Sequence, residues 1–165
     1  MINFAPKQVI VMANTLVKVY LHIVFHIKNR HSLIREEDLP RLFEYIGGTI
    51  KAHGGIPLKI GGINTHVHIL TSLPKNMPLP YFVREIKAKS SKWIKTIAQC
   101  YNWFAWQEGY GAFSVSPSLL SKTKQYIENQ AEHHNAQSYD KEFKEFLRAY
   151  EIEYDANTTF GEMEE

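Results

Sequence analysis

The chain has 165 residues, 44% hydrophobic and 13% aromatic, with a formal net charge of +2. Such a composition suits one packed domain and excludes a disordered or fibrous chain. The single cysteine, Cys100, excludes an internal disulfide, and the longest strongly apolar window, residues 17–27, is broken by Lys18, His22 and His26 and falls short of a membrane span, so a cytoplasmic protein is expected.

Residues 1–11 carry no clear pattern and read as an N-terminal extension. Residues 17–27 alternate strictly, with Val17, Val19, Leu21, Ile23, Phe25 and Ile27 on one face and Lys18, Tyr20, His22, Val24 and His26 on the other. This is the pattern of a half-buried strand, with His22 and His26 as exposed polar positions. Residues 35–53 read as a helix, with an apolar stripe at Leu39, Leu42, Phe43, Ile46 and Ile50, acids in its first turn and Gly54-Gly55 as its stop.

A short strand at 56–62 turns around Gly61-Gly62-Ile63-Asn64 into a second strand, in which Val67 and Ile69 alternate with His66 and His68. The two-residue period puts both imidazoles on one face, close enough to share a divalent ion. The pair alone is a weak signal and needs partners elsewhere in the chain.

Prolines 74, 78 and 80 precede a helix at 81–98, whose buried stripe is Phe82, Val83, Ile86, Trp93, Ile94 and Ile97. Arg84, Lys87, Lys89, Lys92 and Lys95 face the single acid Glu85 there, and with Lys122 further on they are candidates for phosphate contact. All nineteen Lys and Arg precede residue 151, leaving +8 on the first 150 residues and an acidic tail, 156–165, at the end. A basic body fits a nucleic-acid partner.

Residues 101–106 read as an aromatic strand with Trp103, Phe104 and Trp106 in the core. The order strand, helix, strand, strand, helix, strand is that of an α+β, ferredoxin-like (RRM-like) split βαβ sheet with helices on one face. After a joint at Gly109 to Gly111, Ser116-Pro117 caps an added helix, about 116–134, and a final short helix follows at 140–150. Tyr126 and Gln130, four apart, share one face of the added helix.

Four blocks in this order, the strand from Leu21 to Phe25, His66-Val67-His68, residues 106–114 and residues 126–134, resemble the single-tyrosine HUH transposases of small bacterial insertion sequences, the IS200-like transposases. The resemblance covers about residues 12–155, the expected domain. It implies a nucleophilic Tyr126, a Mg2+ or Mn2+ ion on His66, His68 and Gln130, and a substrate of single-stranded DNA with hairpins at element ends. Cleavage would leave a 5′-phosphotyrosine and a free 3′-hydroxyl, so that rejoining needs no ATP. It also implies a homodimer in which Tyr126 of one chain acts in trans on the histidines of the other, in the cytoplasm at the nucleoid. Members of that family often carry Pro-Asp before the first histidine. Asn64-Thr65 stands there instead, so a carboxylate that would tune the metal site is absent.

The rival readings are a metal hydrolase, a domesticated REP-associated tyrosine transposase and a non-catalytic RRM-like nucleic-acid-binding module. No aspartate follows His68 as the metallo-β-lactamase pattern requires, and the binding module leaves Tyr126 and Gln130 unexplained.

Overall fold

The computed structural model describes residues 16–129 together with residues 144, 145, 147, 148, 151 and 153. The expected extension at 1–11, the added helix from Gln130 onward, most of the helix at 140–150 and the tail at 156–165 lie outside them. Strands β1 (Tyr20–His26), β2 (Ile56–Ile63), β3 (His66–Ser72) and β4 (Gly111–Ser114) form one antiparallel sheet in the order β2-β3-β1-β4. Helices α1 (Leu39–Ala52) and α2 (Leu79–Ile97) connect β1 to β2 and β3 to β4, which is the expected split βαβ topology. Among the described residues no helix is long and apolar enough to cross a membrane.

The period of the strands sorts the two faces. Leu21, Ile23, Phe25, Val67 and Ile69 point into one layer, where Leu42, Ile46 and Ile50 of α1 and Phe82, Val83, Ile86 and Ile94 of α2 bury them. Each such buried side chain contributes about 1.5–3 kcal/mol of transfer free energy. The opposite face carries His22, His66, His68 and Leu70, and there α3 (Leu120–Glu128) packs through Ile127 and Tyr126 with Leu58, Val115 and Tyr20. Gly54, at φ +83°, ends α1 with its N–H on the Lys51 carbonyl at 2.9 Å, as the sequence implied.

The fourth strand lies later than the sequence indicates. Residues 101–106 are not a strand: Gln99–Tyr101 is a single 3-10 turn, Trp106 makes one isolated bridge to Ile27, and the edge strand is β4. Ring packing overrides strand propensity here, because Tyr101, Phe104 and Trp106 turn inward together, with Phe104 and Trp106 edge to face at 4.9 Å. Trp103 is 84% exposed instead of buried, and Gly111 pairs with Val24 instead of forming a joint.

The β2–β3 turn is Asn64-Thr65, with Gly61 and Gly62 inside β2, because the Ile34 and Ile27 N–H groups bond the Asn64 and Thr65 carbonyls at 3.0 and 2.8 Å. The added helix opens with a 3-10 turn, Pro117–Leu119, and the Ser116 hydroxyl bonds that of Ser118 at 2.9 Å instead of capping.

The buried end of the α1 layer is polar and closed. Tyr101 Oη donates to Asp38 Oδ2 at 2.7 Å and accepts the Arg35 backbone N–H at 2.9 Å, while Arg35 Nε donates to the same carboxylate at 2.7 Å. Burial opposes the Asp38 charge, but the bonds from Tyr101 and Arg35 outweigh it and hold the carboxyl below its ordinary range. A group so depressed stabilises the fold fully above the unfolded carboxylate value of about 4 and loses that contribution as pH falls through its lower folded value. Tyr101→Phe is therefore expected to cost about 1–3 kcal/mol at neutral pH and to move the acid unfolding midpoint upward. Circular dichroism during acid titration checks this.

Candidate metal and nucleophile site

Pairing of β1 with β3 sets Val24 opposite His68 and His22 opposite Leu70, so His22 and His68 are diagonal neighbours on one face. Their ring centroids are 5.1 Å apart, and His22 Nε2 lies 2.9 Å from His68 Nδ1. His66 and His68, two apart on β3, have centroids 5.0 Å apart, and His66 Nδ1 lies 2.9 Å from Thr65 Oγ1. All three imidazoles are at most 2% exposed. Burial lowers the His22 imidazole to about 4, which keeps it neutral at physiological pH.

The third element of the site is α3. Val115 N–H bonds the Tyr20 carbonyl at 3.0 Å, turning the chain from β4 back over the sheet, and Ile127 is buried against Gly61 and Leu70. Lys59 of β2 ties the last residue of the helix, Glu128, at 2.8 Å. Tyr126 is thereby set with its ring 5.8 Å from His68 and 6.0 Å from His22, edge-on to both. Within this chain α3 packs on the same sheet that carries the histidines and sets Tyr126 beside them.

Gly61 makes this approach possible. A Cβ at Gly61 would stand 2.7 Å from the Ile127 carbonyl oxygen and 2.8 Å from Ile127 Cγ2, closer than packed atoms allow. Gly61→Ala is expected to lift α3, costing about 1–3 kcal/mol and withdrawing Tyr126 from His68. Faster amide hydrogen exchange over residues 120–128, with β1 and β3 still protected, is the expected reading.

His66 and His68 are both met at Nδ1, which makes Nε2 the nitrogen that each can offer to an ion. Two imidazoles side by side suit a divalent ion that also takes oxygen ligands. Among the described residues no three His, Cys, Asp or Glu side chains gather as a metal-binding group, and Gln130, the expected third ligand, lies outside those residues.

The candidate phosphate contacts divide between the layers. Lys122 is exposed on α3, on the histidine side, whereas Arg84, Lys87, Lys92 and Lys95 belong to α2 across the sheet. Lys92 and Lys95 are exposed, and Arg84 stacks over Tyr81 at 4.6 Å. Lys87 is structural: Nζ donates to the carbonyls of Gln107, Glu108 and Gly109, and burial lowers its pKa to about 8 against the opposing pull of Glu108. Sequence reasoning passed over His22 and Thr65 as site residues. The only signal for His22 was its place on the polar face of β1.

The family profile described as "Transposase IS200 like" matches residues 15–130. A candidate transposase from Deinococcus radiodurans R1 superposes with a TM-score of 0.55 at 21% identity, over 70% of this chain and 93% of that one. A REP-associated tyrosine transposase bound to a REP hairpin superposes with a TM-score of 0.55 at 15% identity, over 74% of this chain and 73% of that one. At those identities the likeness is one of fold. No curated protein matches the chain.

Proposed function

The chain belongs to the IS200-like transposase family, and from that premise we propose that it cuts and rejoins single-stranded DNA at insertion-sequence ends, with Tyr126 as nucleophile. The observation that carries this reading is the Tyr126 ring 5.8 Å from His68, one of two imidazoles held side by side through Nδ1. Tyr126 Oη attacks the scissile phosphorus and the P–O3′ bond breaks. The downstream strand is left as a 5′-phosphotyrosine, and the departing O3′ takes up a proton as the phenol loses one. Rejoining is the reverse attack by a 3′-hydroxyl, and because one phosphoester replaces another, no ATP is consumed.

His66, His68 and Gln130 would hold Mg2+ or Mn2+, which when bound supplies charge stabilisation at the phosphoryl and leaving oxygens. Residues 12–155 form the working domain, and Arg84, Lys92, Lys95 and Lys122 are the proposed phosphate contacts, with Lys87 reserved for the loop it fastens. A hairpin at the element end is the proposed recognition feature, in keeping with the REP hairpin held by the structural neighbour. Cytoplasmic action on nucleoid DNA follows from the same reading.

Two arrangements of the nucleophile compete. The packing of α3 on its own sheet supports a site built within one chain. The family resemblance supports a homodimer with Tyr126 acting in trans. Mixing Tyr126→Phe with His66→Ala chains separates them. A site within one chain predicts a mixture as inactive as either variant alone, whereas adduct appearing on the His66→Ala chain would establish action in trans and overturn the single-chain site.

A further inference from the structure

His22 is a buried imidazole outside the metal pair, and its contact with His68 has a consequence for which nitrogen His68 can offer. We infer that His22 is a positioning residue that sets the tautomer and ring plane of His68, so that His68 presents a lone pair at Nε2 to a divalent cation. This rests on the metal reading of the His66–His68 pair.

An N–N contact of 2.9 Å between two ring nitrogens holds one proton, donated by one ring and accepted by the other. If His22 Nε2–H donates, His68 accepts at Nδ1 and carries its own proton on Nε2, where it cannot bind a metal. If His68 Nδ1–H donates, His22 accepts at Nε2 and the lone pair of His68 lies at Nε2. Only the second form is competent, and the contact gives it an acceptor fixed on the neighbouring strand.

Thr65 Oγ1 does the same for His66, 2.9 Å from Nδ1, where the resemblance leads one to expect a carboxylate. Burial of His22 and His68 to 2% and 1% exposure keeps water from competing for either nitrogen. Had His22 been a filler of the sheet face, no ring nitrogen would need to meet His68, and phenylalanine would serve. Had His22 been a ligand through Nε2, that nitrogen would have to leave His68 first.

The test compares wild type, His22→Phe and His22→Gln, whose amide oxygen reaches the place of Nε2 and can accept. Long-range 1H–15N correlation on histidine-labelled, metal-free protein reads the tautomer of His68, and electron paramagnetic resonance of free Mn2+ reads the affinity. The expected result is the Nδ1–H form in wild type, a shift toward Nε2–H in His22→Phe with Mn2+ binding weaker by about 10–100-fold, and recovery of both in His22→Gln. An Nε2–H form of His68 in wild type, an unchanged tautomer in His22→Phe, or a His22→Gln variant no better than His22→Phe overturns the inference. If His22→Phe does not fold, His22→Gln decides alone: both readouts near wild type support the inference, and loss of either refutes it. The metal-free tautomer tests the role of His22 whether or not an ion binds, while failure of wild type to take up Mn2+ would count against the metal reading.

Discussion

Tyr126→Phe is expected to abolish cleavage and rejoining, by on the order of 10^6-fold, the scale on which enzymes lose activity with their nucleophile. The substitution removes only the hydroxyl. The ring stays beside His22 and His68, with centroids at 6.0 and 5.8 Å, and Ile127 still anchors α3 next to it. The melting temperature should therefore hold nearly constant and binding of single-stranded DNA should persist. Cleavage by the variant at the wild-type rate would place the nucleophile elsewhere, and an unfolded variant would mean that the hydroxyl serves the fold.

His66→Ala is expected to have the second largest effect, removing one of the two proposed imidazole ligands and lowering Mn2+ affinity by about 100-fold, with cleavage lost in step. Because His66 is fully buried, the variant also leaves a small cavity, with a stability cost of about 1–3 kcal/mol. His66→Gln separates the two effects by restoring most of the volume. Isothermal titration with Mn2+ and a cleavage assay with added chelator check this. Wild-type cleavage undiminished by chelator would remove the metal from the mechanism.

The sheet and the helix pair were legible because their signal is periodic. Alternation from Leu21 to Ile27 and from His66 to Leu70, and the stripes of α1 and α2, depend on near neighbours in the chain. His66 and His68 fell on one face for the same reason. What escaped the sequence depends on register and on packing between distant residues. His22 sits on the polar side of an alternating strand, where exposure is the ordinary outcome. Only the pairing of Val24 with His68, and α3 over both strands, turns it into a buried partner of the site.

Lys87 looked like one more cation on a basic helix. Its role appears only once the carbonyls of residues 107–109, about twenty positions later, converge on it. The aromatic run at 101–106 has strand propensity, but Tyr101 is claimed by Asp38, 63 residues away, and the edge of the sheet passes to β4. Thr65 reads as a missing carboxylate in sequence. In space it is a hydroxyl 2.9 Å from Nδ1 of His66.

Tyr126 is expected to take a DNA strand onto its phenolic oxygen. Incubating the protein with end-labelled single-stranded DNA from the flanks of its own gene and Mn2+, then digesting the denatured product and mapping the modified peptide by mass spectrometry, tests it most directly. The expected result is a 5′-phosphonucleotide on Tyr126 and a released strand ending in a 3′-hydroxyl. Cleaved strands with free 5′-phosphates and no protein adduct, or an adduct on any other residue, would contradict it.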